Sequence, residues 1–152
     1  MTEVRFYHLT RRPLEDTLPV MLERTINRDG RRALVMARSD ERIDALNDHL
    51  WTYSDRSFLP HGSKVDGFPA DQPIWLTTED DNPNAAEVLF LTDGATSDRV
   101  GEFELVCELF DGNDGEAVAG ARERWQAYKA ADHTLTYWQQ TERGGWERKA
   151  GA

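Results

Sequence analysis

A chain of 152 residues with 39% hydrophobic and 30% charged side chains suits one globular domain, which at this length buries about two-thirds of its unfolded surface. Lys and Arg number 18 against 28 Asp and Glu, and the net charge of −10 excludes the overall basic footprint by which a protein grips nucleic acid unaided. The single cysteine excludes an internal disulfide and a cysteine-based metal site, no apolar run approaches a membrane span, and the N-terminus does not read as a signal peptide, so a soluble cytoplasmic protein is expected.

Residues 4–9, Val-Arg-Phe-Tyr-His-Leu, read as a first strand. Leu14, Leu18, Met21, Leu22 and Ile26 then recur at helical spacing, with Pro13 suited to a first turn and Glu15 and Asp16 favourable near a helix N-terminus. Pro19 inside that stretch predicts a late start or a kink. Gly30 marks the exit, and Ala33 to Ala37 is a continuous apolar run of the kind buried on both faces of a parallel sheet. Ser39 or Asp40 can cap a second helix that carries Ile43, Leu46 and Leu50 and ends at Trp51. Strand, helix, strand, helix in this order predicts a right-handed crossover.

Residues 60–73, with Pro60, Gly62, Gly67, Pro69 and Pro73, read as a long irregular connection. Residues 73–77 and 87–91 read as strands either side of the turn-like 79–84, and 103–110 as a further strand whose alternation buries Cys107. A turn and helix cap at 111–115 precede the most regular helix, 116–131, rich in Ala, Arg and Glu. Residues 133–138 can supply a last strand, and 144–152 read as a flexible tail. The expected architecture is a single α/β domain over residues 1–143 with a largely parallel sheet.

Nothing in this pattern makes an active site. Thr10-Arg11-Arg12-Pro13 contains no glycine, so the loop after the first strand lacks the close backbone approach that a pyrophosphate needs. Asp80, Asp81 and Asp93 could hold Mg²⁺, but beside Asn82-Pro83-Asn84 a solvated turn is expected. His8, His49, His61 and His133 show no metal-ligand spacing, and His61 is expected to hydrogen-bond the backbone. Ser57 lacks the glycines of a nucleophile elbow. No catalytic residue, metal or cofactor is expected.

Two segments stand out instead. Trp51, Tyr53, Phe58 and Leu59 crowd nine positions at the end of the second helix, either capping the core or forming the desolvated centre of an interface. On the last helix, at about 100° per residue, Val118, Arg122, Trp125, Gln126 and Lys129 fan over one third of the circumference, while Ala117, Gly120, Ala121, Ala127, Tyr128 and Ala131 fall on the expected packing side. Trp125 then either covers a neighbouring loop or, with its cations, forms a pocket for an acidic, apolar peptide.

The opening Phe6-Tyr7-His8-Leu9, the run from Ala33 to Ala37, the segment Leu50 to Gly62 with its Leu-Trp and Ser-Phe-Leu-Pro-His, and the helix Ala121-Arg122-Glu123-Arg124-Trp125-Gln126-Ala127-Tyr128-Lys129 together resemble the chi subunit of bacterial DNA polymerase III holoenzyme. The resemblance implies a Rossmann-like three-layer domain without a nucleotide-binding loop and without catalytic activity of its own. It implies two partners: the psi subunit, which attaches chi to the clamp loader, and the acidic C-terminal tail of single-stranded DNA-binding protein. Trp51, Phe58 and Leu59 match the psi-contacting surface, and Arg122, Arg124, Trp125, Gln126 and Lys129 match the tail-binding surface. Gln126 stands where a family member carries lysine, which implies weaker tail binding or more reliance on Arg122, Arg124 and Lys129. The expectation is a cytoplasmic replication adaptor that reaches DNA only indirectly and engages no membrane. A small α/β enzyme or ligand-binding domain acting on phosphate esters is the alternative.

Overall fold

The computed structural model describes residues 2–52, 60–143 and 145–151. Eight strands form one sheet: β1 (Glu3–Leu9), β2 (Ala33–Met36), β3 (His61–Ser63), β4 (Ile74–Thr77), β5 (Val88–Thr92), β6 (Leu105–Asp111), β7 (Thr134–Gln140) and β8 (Trp146–Gly151). Their spatial order is β3-β4-β2-β5-β6-β1-β7-β8, parallel throughout except for the antiparallel β7–β8 hairpin. Every residue of β2, β4 and β5 is buried, as expected for central strands covered on both faces. The α/β class and the three layers follow directly.

α1 (Leu14–Glu23) and α2 (Asp40–Thr52) cover one face, and α3 (Gly115–Ala130) covers the other. Leu18 and Leu22 of α1 and Ile43, Leu46 and Leu50 of α2 pack on Val35, Ile74, Phe90 and Leu109. On the opposite face Ala121 of α3 joins Val4, Phe6, Leu89, Val106 and Leu135.

Local chemistry sets the helix ends. The Ser39 hydroxyl accepts the Arg42 N–H at 3.2 Å, and its carbonyl accepts the Ile43 N–H at 3.1 Å, starting α2. Pro19 does not delay α1, which runs through it from Leu14. A proline there leaves the carbonyl four residues earlier without its helical donor. That carbonyl belongs to Glu15, and the His49 Nε2–H of α2 meets it at 2.6 Å. The cost of the proline is thus offset by a contact that also clamps α1 to α2.

Two segments differ from expectation. Residues 61–63, inside the supposed irregular connection, form β3 on the sheet edge; Gly62 and Ser63 carry no strand preference, and the Ser63 N–H is instead fixed by the Asp66 carboxylate at 3.0 Å. Residues 146–151, expected as a flexible tail, form β8 against β7. Its Glu-Arg-Lys sequence suits an exposed edge, where charges discourage further pairing, and its anchor is Trp146, whose ring meets Tyr7 edge-on at 4.9 Å.

Candidate functional site

In open α/β sheets ligands bind beyond the carboxyl ends of the strands, against the amides of a strand–helix loop. Here that loop is filled by the protein itself. Gln140, buried at the end of β7, places its side-chain Oε1 on the N–H groups of Thr10, Arg11 and Arg12, at 3.2, 2.9 and 2.9 Å. Its backbone carbonyl accepts the Thr10 hydroxyl at 3.1 Å. A cavity of about 380 Å³ remains beside it, but the Arg42 guanidinium that lines it is spent on Glu15 and, at 2.7 Å, on Asp93. Of the other two aspartates, Asp80 caps the next loop, accepting the Ser97 hydroxyl and, at 2.8 Å, the Asp98 N–H.

The sheet register prepares a different surface. Phe6 lies between Glu108 and Tyr137 across β6-β1-β7, and α3 crosses this row. Asp114 starts α3 by accepting the N–H groups of Glu116 and Ala117 at 3.0 and 3.4 Å. Ala121 is buried, and Tyr128 donates its hydroxyl to Glu108 Oε2 at 2.8 Å. Arg124, expected on the tail-binding surface, turns inward and pairs with the same oxygen at 2.8 Å, where Glu108 is 1% exposed. Burial pushes the Glu108 carboxyl up, and Arg124 and Tyr128 pull it back.

Trp125 takes neither of the expected positions in full. The packing face centres on Ala121 and Tyr128, so Trp125 falls on its margin, with its ring edge-on to Phe6 at 5.4 Å and to Tyr137 at 6.0 Å. Ala127, assigned to the packing side from spacing, faces solvent. Beyond Trp125, Arg122, Gln126 and Lys129 are exposed.

Sequence reasoning missed the floor of this margin, because its parts lie far apart in the chain. His8 Nδ1 and the Tyr137 hydroxyl share a hydrogen bond of 2.6 Å across a separation of 129 residues. Gly112 makes room for it, since a Cβ there would lie 1.9 Å from the His8 ring. Burial lowers the His8 pKa, the Arg122 charge adds to this, and the Gly112 backbone and Asp111 oppose it. Arg122 therefore sits close enough to His8 and Tyr137 to act on both, and the surface combines an aromatic floor with a guanidinium at its edge.

The aromatic segment is described in part. Trp51, in the last turn of α2, is 50% exposed, with its ring against His61 at 4.3 Å. His61 itself is buried and bonds the Asn47 carbonyl at 3.0 Å, the backbone role expected of it. Phe58 and Leu59 lie outside the described residues. Trp51 belongs to the α2 side of the sheet and Arg122 to the α3 side, so the two candidate surfaces face apart.

Fold and site together define a three-layer α/β protein whose phosphate-type loop is sealed by its own glutamine. The sequence matches the family described as "DNA polymerase III chi subunit, HolC" over residues 1–136, and the chain belongs to that family. A curated relative from Rickettsia prowazekii (strain Madrid E), named "Probable DNA polymerase III subunit chi", is 45% identical over 60 residues. That stretch covers 40% of this chain and 36% of the relative's length. Family membership places the chain among the accessory subunits of a replicative DNA polymerase. Among the described residues no helix is long and apolar enough to cross a membrane.

Proposed function

We propose that this accessory subunit is a non-catalytic, cytoplasmic adaptor with two protein-binding surfaces. The margin of α3 takes the acidic C-terminal tail of single-stranded DNA-binding protein, and the Trp51 surface takes the psi subunit of the clamp loader, so DNA is reached only through its coat protein. The observation that carries the reading is the α3 margin: the His8–Tyr137 pair lies in the field of the Arg122 charge, with half-buried Trp125 and exposed Gln126 and Lys129 further along the helix. An apolar residue at a peptide's end finds the aromatic floor, its α-carboxylate finds Arg122, and acidic residues upstream find Lys129. Arg124 contributes by holding α3 on the sheet through Glu108. Phe58 and Leu59, outside the described residues, are assigned with Trp51 to the psi surface in this proposal.

Calorimetric titration of the cognate tail peptide into the whole chain tests the reading. Saturable binding that weakens with added salt is expected, and absence of binding at low salt contradicts it. For the second surface, Trp51→Ala should cost about 2–4 kcal/mol of clamp-loader association, the range of a central aromatic anchor. Undiminished co-purification of that variant from a native lysate returns Trp51 to a packing role.

A further inference from the structure

A second concavity lies on the other face of the sheet, between the end of α1 and strands β1 and β6. After Glu23 the helix widens into a π-helical turn, Arg24–Arg28, closed by the Asp29 N–H on the Arg24 carbonyl at 3.0 Å. Such turns admit an extra residue and recur at functional positions. This one brings Arg24 and Arg28 to the rim of a cleft of about 480 Å³. Four guanidiniums line the cleft, Arg5, Arg24, Arg28 and Arg31, against one carboxylate, Asp29. In a chain of net charge −10 that is a marked local excess of positive charge.

The four are not equally engaged. Arg5 holds Glu3 at 2.9 Å, and Arg31 holds Glu104 at 3.5 Å. Arg28 reaches Asp29 only at 4.0 Å, and Arg24 has no carboxylate within ion-pair distance among the described residues. The apolar part of the lining comes from Tyr7, Met21, Leu105 and Trp146, with Phe90 and Cys107 buried beneath.

We infer that this cleft binds a short acidic peptide segment carrying one apolar side chain, with carboxylates on Arg24, Arg28 and Arg31 and the apolar group against Leu105 and Trp146. Guanidinium forks match carboxylates in two-point geometry. Tyr7 and Trp146 meet at an interplanar angle of 69°, so they offer no parallel faces on which successive bases of a single strand could stack. A long polyanion would also meet the net charge of the whole chain, whereas a short segment sees mainly the local field. The inference stands apart from the α3 surface, which lies across the sheet.

The test is fluorescence anisotropy with the whole chain and a fluorescein-labelled peptide, Glu-Asp-Phe-Asp-Glu, blocked at both ends so that it offers no α-carboxylate. Saturable binding is expected, weakened about tenfold or more by the double change Arg24→Glu with Arg28→Glu and partly retained by Arg24→Lys with Arg28→Lys, circular dichroism staying native in each. Absence of binding by the parent chain, or equal binding by the charge-reversed variant, overturns the inference. Tighter binding of a labelled oligothymidine than of the peptide overturns it as well.

Discussion

The carboxyl end of the sheet and the outer margin of α3 present the same kinds of group in opposite conditions. At the sheet end, three loop amides converge on Gln140 and the Arg42 guanidinium is held between two carboxylates. Along α3, Arg122, Gln126 and Lys129 face solvent beside a half-buried tryptophan. The customary ligand position of this architecture has become internal structure, while groups of the same kinds stand exposed on a helix face. Fold and site are separable, and here the site must be argued from the helix.

The contrast predicts opposite behaviour from two arginines on one helix. Arg124→Ala leaves Glu108, at 1% exposure, with Tyr128 as its remaining partner, and should cost about 3–5 kcal/mol of stability. Arg122→Ala, at an exposed position, should stay within about 0.5 kcal/mol of the parent. Urea unfolding of both checks this, and similar losses would erase the distinction between inward and outward faces.

Opening the sealed loop is the next largest effect. Gln140→Ala removes one acceptor from three amides and should cost about 1–3 kcal/mol. Sulfate should then recover part of the loss by binding the vacated amides in the folded state alone. A variant as stable as the parent, or one indifferent to sulfate, would show that Gln140 does not seal the loop.

The smallest effect is protonic. The folded chain holds the His8 pKa below the unfolded value of about 6.5, through burial first and Arg122 second. Below that pH the unfolded chain binds the proton more readily, so this histidine's stabilising contribution is present at neutral pH and is lost as pH falls through the folded value. Arg122→Ala should raise the His8 pKa toward its ordinary range, as read by NMR titration of the ring. An unmoved titration would separate Arg122 from the His8–Tyr137 pair.

The central sheet was legible because β2 and β5 are unbroken apolar runs, and α2 because Ser39 stands where a cap must. The edge strands β3 and β8 were not, since their neighbours supply the pairing and their own residues show no alternation. Exposure of Arg122, Gln126 and Lys129 followed from helical spacing, whereas for Trp51 the sequence left core cap and exposed surface open. The inward turn of Arg124 had an available signal: Glu108 within the apolar Leu105 to Phe110 run demands a buried partner, and a facing helix must supply it. No spacing rule links His8 to Tyr137, or Gln140 to residues 10–12, because each pairing arises only when β7 returns beside β1.

One titration tests the α3 margin most directly: calorimetry of the tail peptide of single-stranded DNA-binding protein against the parent, Arg122→Ala and Lys129→Ala at two salt concentrations. A carboxylate seated on Arg122 beside the aromatic floor sets residence time, whereas Lys129 at the rim steers encounter. Arg122→Ala should therefore weaken binding more than Lys129→Ala, with added salt weakening the parent and the Lys129 variant. If Arg122→Ala binds like the parent, the tail does not use this margin and the adaptor surface lies elsewhere.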